Sequence, residues 1–309
     1  MTTRGRLLSV LVSGLLLTCC APATADVLPV TADLVLWLDA GDLDGDGTAE
    51  GLAEDGQTAG VVSVWKDKSV NGNDVTDAAD AARAPILDLA GSLNGLPVVD
   101  FSSDAYLSRA DAMGLAGNPA LTVFIVTRDN DGAVSDHRLF QIGTDDGSGS
   151  GGLVTALSND SSWRYNNGNH VFANDKLDST TEGLIGIWRT DAGQNYGATE
   201  FFKNSSTPAV ATGTGNETNV VNMPDEATII GGGYYTAGSL SNPTNNSNAD
   251  IAELLVYSSE LGADDLEAVG YYLQEKWAVN STFVPEPSSA ILLAAALIPA
   301  LVRRRRGAA

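Results

Sequence analysis

Short apolar runs, separated by polar and glycine-rich stretches, recur along most of the chain. Leu34 to Leu38 is a continuous apolar run, the pattern of a strand that is buried on both faces. Similar segments predict further strands at 61–65, 97–101, 121–127, 139–142, 153–157, 163–165, 184–189, 199–203, 228–230 and 251–257. Because glycine, asparagine and aspartate fill the gaps between them, we predict an all-β fold, a two-sheet antiparallel jelly-roll sandwich.

One segment near the C-terminal end has helical periodicity instead. In residues 263–277 the apolar positions that share one helix face are Leu266, Val269, Gly270, Leu273 and Trp277. Acidic residues occupy the first turns, where the helix dipole favours negative charge, and Lys276 lies near the end. We therefore predict one amphipathic helix that packs against the sandwich.

The N-terminal residues have the pattern of a secretory leader. Arg4 and Arg6 precede the apolar stretch 7–17, and Ala23 and Ala25 supply the small-x-small cleavage pattern. We predict a signal peptide over residues 1–25; a lipoprotein signal that uses Cys19 or Cys20 is the alternative. Both cysteines lie in this leader, so the mature protein is expected to contain neither a disulfide nor a cysteine-ligated metal.

The C-terminal residues predict a membrane-directed tail. Pro285, Glu286 and Pro287 precede the apolar run 290–302, and four arginines, Arg303, Arg304, Arg305 and Arg306, follow it. The arginines oppose passage across the bilayer, and the run is shorter than the roughly 20 residues of a stable spanning helix. We predict a sorting signal over 284–306 whose short transmembrane segment anchors the chain transiently, with a permanent tail anchor as the alternative.

Composition narrows the range of partners. The formal net charge is −22, and the basic residues of the two terminal signals contribute positive charge that the domain at 26–280 lacks. A polyanion does not bind nucleic acid by counterion release and does not adhere to an anionic membrane surface. The charge instead suits solubility, a saline habitat or cation binding.

Several phrases in this order resemble a known fold family. They are LVLWLDAGD at 34–42, VSVWKDKSVNGND at 62–74, NGLPVVDFSSDAYLS at 94–108, LTVFIVTR at 121–128 and the closing stretch 249–277. Together they resemble the laminin-G-like jelly rolls of the concanavalin A-like lectin/glucanase superfamily. The tail resembles the PEP-CTERM sorting signal of Gram-negative bacteria, which implies an exosortase-type protease as partner. The family resemblance implies glycan or calcium binding on the concave face or rim loops, and structural roles for Trp37, Trp65 and Asp67.

The best local signal for a metal is the run Asp42, Asp44 and Asp46, in which carboxylates alternate with other residues and glycine allows a tight turn. The run resembles the start of a calcium loop, but the twelfth position is Ala53 rather than a glutamate. Calcium is therefore the one cofactor that the sequence suggests, and a plain acidic surface turn is the alternative. A second acidic turn, Asp67 to Asp74, could add outer ligands.

Catalytic patterns are weak in this sequence. A jelly-roll glucanase needs carboxylates that face one cleft, whereas Asp250 and Glu253 are three residues apart, which in a regular strand places them on opposite faces. His137 and His170 lie in polar, loop-like sequence, and Gly231 to Gly233 is typical of a bulge or turn. We therefore expect a protein that is not an enzyme.

Two groups of residues could bind a sugar. Trp163, Tyr165 and Asn167 combine aromatic rings with an amide, and Tyr234 and Tyr235 precede an asparagine-rich loop. The alternative is that these are ordinary strand aromatics and turn residues. The expectation is an exported, non-catalytic surface or matrix protein, a carbohydrate-binding or adhesion module on an extracellular polysaccharide. The alternatives are a structural matrix component without a ligand and a divergent glycan-active enzyme.

Overall fold

The longest apolar runs form the centre of one sheet. In the computed structural model, strands β7 (Leu121–Asp129) and β15 (Ala249–Tyr257) are nine residues long and buried along almost their whole length. Strands that are covered on both faces need apolar side chains at nearly every position, which explains why these runs do not alternate with polar residues.

The structure describes residues 27–49, 60–77, 80–90, 93–102, 104–130, 137–143, 153–157, 163–164, 171–172, 182–195, 198–208, 222–233 and 247–284. The predicted signal peptide lies outside these ranges, as does the predicted sorting signal apart from its first residue, Val284. Within them, no helix is long and apolar enough to span a membrane.

The remaining elements are short. The other strands are β1 (Leu34–Asp39), β2 (Val64–Trp65), β3 (Val75–Thr76), β4 (Ile86–Asp88), β5 (Val98–Asp100), β6 (Leu107–Arg109), β8 (His137–Ile142), β9 (Leu153–Leu157), β10 (Trp163–Arg164), β11 (Val171–Phe172), β12 (Leu184–Thr190), β13 (Glu200–Lys203) and β14 (Thr228–Ile230). A 3-10 turn covers Ala81–Arg83, and helix α1 covers Ala263–Trp277.

Two antiparallel sheets form a sandwich. The seven-stranded sheet has the order β13-β12-β7-β15-β5-β4, with β1 also paired to β15, and the six-stranded sheet has the order β2-β3-β6-β14-β8-β9. Strands β10 and β11 form a separate pair. The inner faces of both sheets contribute to one hydrophobic core, for example Leu36 and Val123 from the first sheet and Leu107 and Ile230 from the second.

Helix α1 packs on the outer face of the seven-stranded sheet. Its buried residues are the five that the periodicity predicts: Leu266, Val269, Gly270, Leu273 and Trp277. The helix ends at a left-handed residue, Ala278 (φ 51°), and the Asn94 amide donates hydrogen bonds of 3.0 Å to the carbonyl oxygens of both Trp277 and Ala278. These bonds satisfy carbonyls that the helix end would otherwise leave without a partner.

Residues 278–284, which we call the C-terminal strap, return along this helix. The Phe283 ring packs on Gly270, where an added Cβ would lie 2.3 Å from a ring carbon. One residue later, the Val284 amide donates to the Glu267 carboxylate at 2.5 Å. Because Glu267 precedes Gly270, the strap runs antiparallel to the helix and covers it.

These observations confirm the predicted fold class, an all-β sandwich with a C-terminal helix. The predicted strands are present, with small differences at their ends, and the helix has the predicted bounds. Four strands of two or three residues, β3, β4, β6 and β11, escaped the sequence analysis because such short segments show no period.

Candidate functional site

A β-bulge at Ala252 changes which face of β15 its acidic residues share. On the neighbouring strand β7, Asp250 is opposite Arg128 whereas Glu253 is opposite Val126. Positions 126 and 128 of β7 are two residues apart, so Asp250 and Glu253 lie on the same face of the sheet. The expectation that they lie on opposite faces is therefore wrong, because it assumed a regular strand.

On the other side of β15, the register with β5 places two aspartates directly opposite each other. Asp250 of β15 pairs with Asp100 of β5, and Arg128 is opposite Asp250 on the other side. Residues that are directly opposite have Cβ atoms about 4.5–5.5 Å apart. Ile86, which is opposite Asp100 on the outer strand β4, is 49% exposed, so this part of the face meets solvent. We call Asp100 and Asp250 the aspartate pair.

Each member of the aspartate pair is oriented by hydrogen bonds. The Ser102 backbone N–H donates to Asp100 Oδ1 (2.8 Å) and the Ser102 hydroxyl donates to Asp100 Oδ2 (3.1 Å). Asn130 Nδ2 donates to Asp250 Oδ1 (2.9 Å). Asp100 is half-buried and Asp250 is 4% exposed.

Like charges directly opposite each other destabilise a sheet, and Arg128, which is opposite Asp250, offsets part of this repulsion. Retaining hydrolysis of a glycosidic bond uses two carboxyl groups about 5 Å apart, and the Cβ spacing of directly opposite residues allows the carboxyl groups of the aspartate pair to reach that separation. No sequence pattern pointed to Asp100, because Asp100 is only the polar last residue of a short strand.

Glu253 lies further along the same face, beneath helix α1, and is fully buried. Its Oε1 accepts from Trp37 Nε1 (2.8 Å) and its Oε2 accepts from Trp277 Nε1 (2.5 Å), while Lys276 Nζ lies 3.0 Å from Oε2. Burial raises the pKa of Glu253 to about 7, and the nearby Asp39 adds to the rise against the opposing effect of Lys276.

From Glu253 a series of alternating charges leads towards the surface. Lys276 lies 2.7 Å from Asp39, Lys68 lies 2.7 Å from the same carboxylate oxygen, and Lys68 continues to Asp42 at 2.8 Å. We call these five residues the charge chain. Burial alone lowers the pKa of Lys68, but Asp39 and Asp42 outweigh it, so the pKa of Lys68 is raised. Asp39 and Glu253 are completely enclosed, and the charge chain joins the helix to the sheet at these two residues.

The predicted acidic loop follows directly after β1. Asp42, Asp44 and Asp46 each offer a carboxylate oxygen, and these oxygens all lie within 4.8 Å of one another. Asp42 also accepts from the Gly47 N–H at 3.2 Å, and its Oδ2 is the atom that Lys68 contacts. Calcium needs six to eight oxygen ligands, so three carboxylates would have to be supplemented by other oxygens, and calcium binding stays a prediction.

The second acidic turn, 67–74, is held together internally. Asp67 accepts from the backbone N–H groups of Trp37 (2.9 Å), Ser69 (2.8 Å) and Asn73 (2.8 Å). Asp74 accepts from the Asp67 N–H at 3.0 Å. Trp65 is fully buried and Trp37 is 8% exposed, so the structural roles expected of Trp37, Trp65 and Asp67 are confirmed.

The predicted sugar-binding residues fall mostly outside the described ranges. Trp163 begins strand β10, opposite Phe172, and only its backbone is described. Tyr165, Asn167, Tyr234 and Tyr235 lie outside, as do His170, the predicted signal peptide and the predicted sorting signal beyond Val284. His137 begins strand β8 instead of lying in a loop. Gly231 has φ +81° and follows β14, which confirms the predicted turn.

No family model matches the chain, and no curated protein matches it. Solved structures do resemble it. Trypanosoma rangeli sialidase in complex with sialic acid is 14% identical with a TM-score of 0.50, over 82% of this chain and 35% of the sialidase. The same sialidase with the inhibitor DANA gives 14% and 0.47, over 81% and 34%. A GH54 α-L-arabinofuranosidase soaked with a cyclic sulfate inhibitor gives 16% and 0.47, over 79% and 59%.

The chain thus spans about a third of the sialidase and three-fifths of the arabinofuranosidase. At this identity the match to the sialidase complex shows a shared β-sandwich fold. That match also corrects the expectation of a non-catalytic binding or matrix protein, because the structure that shares the fold is that of a sialidase. One part of the sequence-based expectation against catalysis, that Asp250 and Glu253 lie on opposite faces, is wrong because of the bulge at Ala252.

Proposed function

We propose that the chain is a glycan-active enzyme that hydrolyses a glycosidic bond with the aspartate pair. The observation that carries this proposal is the register of β5, β15 and β7, which places Asp250 directly opposite the half-buried Asp100, next to the exposed Ile86 of β4. The fold shared with a sialidase supports glycans as the class of substrate.

The chemistry would follow the retaining route. One carboxylic acid of the pair donates its proton to the glycosidic oxygen as the bond to the leaving sugar breaks, while the other carboxylate attacks the anomeric carbon and forms a glycosyl ester. The first residue then removes a proton from water, whose oxygen displaces the ester and restores both carboxyl groups. The positive charge of Arg128, opposite Asp250, offsets the negative charge of the pair.

The charge of the whole protein bears on the choice of glycan. A net charge of −22 repels polyanionic polymers over the range of the Debye length, about 8 Å at physiological ionic strength. We therefore propose a neutral glycan. The sialic acid of the sialidase complex belongs to that protein.

Purified protein tested on a panel of neutral and acidic glycosides measures the activity directly. Asp100→Asn and Asp250→Asn should each lower kcat by about 100-fold or more, the usual contribution of a positioned acid or base. Asp88→Asn is the matched control, because Asp88 is exposed on the same sheet and belongs to the neighbouring strand β4. It should leave kcat within about twofold of the unchanged protein.

Azide then separates the two roles. It should rescue both variants, giving a glycosyl azide of inverted configuration from the nucleophile variant and of retained configuration from the acid–base variant. Absence of hydrolysis by folded protein on every glycoside, or equal activity in the three variants, would contradict the proposal.

The proposal extends to the route by which the chain reaches its substrate. It includes a laminin-G-like subtype of the sandwich, export by a leader at residues 1–25, and sorting to the cell surface or matrix by an exosortase acting on the PEP-CTERM signal at 284–306. The motif Pro285-Glu286-Pro287 and the four arginines support it. Replacing the four arginines with serine should disturb sorting and change the fraction of protein in the membrane, as measured by cell fractionation. An unchanged distribution would contradict this part.

A further inference from the structure

One amine of the charge chain contacts two buried carboxyl groups at once. Lys276 Nζ lies 2.7 Å from Asp39 Oδ2 and 3.0 Å from Glu253 Oε2. Both acids are fully buried, and the side chain of Lys276 is only 17% exposed. An amine, a carboxyl group and a second acid that can move protons between them are the groups that formation of an amide requires.

We propose that Lys276 and Asp39 condense to an amide, an isopeptide bond that joins the end of helix α1 to the end of strand β1, with Glu253 as the group that carries the protons. The bond is independent of the proposed hydrolysis, and the condensation uses groups of this chain alone. Both cysteines of the chain lie in the predicted leader, so no disulfide is expected to link the mature protein. An amide would provide such a link by other chemistry.

Glu253 is suited to take the first proton. Its carboxylate accepts from the indole N–H groups of Trp37 and Trp277 and lies against the Lys276 ammonium group, and all of these donors favour the ionised form. Burial opposes them and raises the pKa to about 7, which makes this carboxylate a stronger base than an exposed one. Glu253 can therefore remove a proton from Lys276 and leave a neutral amine beside Asp39.

The carboxyl group of Asp39 is held in place for the attack. Its Oδ1 accepts from the Gly41 N–H at 2.9 Å, and its Oδ2 accepts from Lys68 Nζ at 2.7 Å. A backbone donor and a cation on the two oxygens stabilise the negative charge that develops there when a nucleophile adds to the carbon. That carbon is bonded directly to the oxygen that Lys276 already contacts.

The atoms and the charges balance within these groups. The Lys276 nitrogen forms a bond to Asp39 Cγ, and the bond from Cγ to Oδ2 breaks. Two of the three ammonium protons pass to Oδ2 by way of Glu253, so that oxygen leaves as water, and the third proton remains as the amide N–H. Glu253 ends as it began. Fixed contact between the reacting groups favours the step, and a neutral amide replaces two buried charges.

Lys68 contacts the same carboxylate, but its charge suits it to a different role. Its Nζ lies 2.7 Å from Asp39 and 2.8 Å from Asp42. Burial lowers the pKa of Lys68, and the two aspartates outweigh that effect and raise it. Lys68 therefore keeps its proton and polarises the carboxyl group, whereas Lys276 is the amine that lies against Glu253.

Peptide mapping of the purified full chain by mass spectrometry, after denaturation and digestion, detects the bond directly. The peptides that contain Asp39 and Lys276 should appear as one species, lighter than their sum by the mass of one water molecule. Fragmentation should place the link at these two residues. The protein should also keep this species after boiling in denaturant, because a covalent bond does not depend on the fold.

Three variants test the roles. Lys276→Arg keeps the positive charge but replaces the amine, so the linked species should be absent. Lys68→Arg is the matched control, since it keeps a cation on Asp39 and should keep the link. Glu253→Gln should slow the appearance of the linked species by about 100-fold or more, the usual contribution of a positioned acid or base.

The unchanged protein decides the proposal even if a variant does not fold. Folded protein in which both peptides have their unlinked masses would overturn it. So would a link that survives Lys276→Arg, a link that is lost in folded Lys68→Arg, or a link that fragmentation places on Glu253 instead of Asp39.

Discussion

At the scale of single residues, Val70 shows what the turn at 67–74 demands of the chain. It is 97% exposed and has φ 69°, a left-handed conformation that a β-branched side chain rarely adopts. The hydrogen bonds that Asp67 accepts on either side fix the backbone here. The strain at Val70 is thus imposed by its neighbours, and no contact of its own side chain compensates for it among the described residues.

Val70→Gly should raise the free energy of unfolding by about 1 kcal/mol, because glycine adopts positive φ without strain. Chemical denaturation measures the change. Val284→Gly is the control at another exposed valine, one without positive φ, and should not stabilise the protein. Equal effects of both substitutions would contradict the assignment of strain to Val70.

At Gly270, in contrast, the glycine is required by the lack of space for a side chain and not by the backbone conformation. Alanine normally stabilises a helix interior relative to glycine by about 1 kcal/mol. Here an added Cβ would lie 2.3–2.7 Å from three carbons of the Phe283 ring. Gly270→Ala should therefore destabilise the protein by about 1–3 kcal/mol through overpacking.

A double-mutant cycle tests this contact. In the background of Phe283→Ala the ring is gone, so Gly270→Ala should become neutral or stabilising in denaturant unfolding. A Gly270→Ala penalty of the same size with and without the ring would place the cause elsewhere in the helix.

At the scale of elements, sequence reasoning succeeded where a pattern is long and failed where one residue interrupts it. The helix and the long strands have enough positions to show their period, and the structure confirms them. Ala252 carries no signal of a bulge in the sequence, yet it decides that Asp250 and Glu253 share a face.

Most residues of the candidate site could therefore not be predicted from the sequence. Asp100 and Arg128 look like ordinary polar ends of strands, and only the pairing of β5, β15 and β7 brings them together. Asp39 and Glu253 are acids within apolar strands. Their partners, Lys68 and Lys276, are distant in sequence, so the charge chain is visible only once the strands and the helix are packed.

The acidic loop after β1 makes a prediction at this scale. If calcium binds Asp42, Asp44 and Asp46, millimolar calcium should raise the thermal unfolding midpoint, because a ligand that binds only the folded state stabilises it. Asp44→Asn should abolish the rise, whereas Asp191→Asn, at an exposed aspartate outside the loop, should not. A calcium response that survives Asp44→Asn would exclude this loop as its source.

At the scale of the whole molecule, the large negative net charge destabilises the folded state. A net charge of −22 on 309 residues, with a pI of about 4.1, makes the folded state repel itself. A single large core that joins both sheets provides the compensating stability.

Added sodium chloride should therefore raise the thermal unfolding midpoint between 0.01 M and about 0.5 M, where the Debye length falls from roughly 30 Å to a few ångströms. A neutral osmolyte at matched osmolality is the control for solvent exclusion. A midpoint that falls with salt would mean that attractive ion pairs, such as those of the charge chain, outweigh the general repulsion.

The C-terminal strap determines how the molecule would respond to a mechanical load. A pull on the chain beyond Val284 acts first on the bond to Glu267, then on the Phe283 ring over Gly270, and then on the Thr282 amide bound to the Asn204 carbonyl. Because the strap runs antiparallel to the helix, the force acts on these contacts one after another, and each can break before the next is loaded. The strap should thus yield at low force as a tether that lengthens, and it would spare the central strand β15 while the tension lasts.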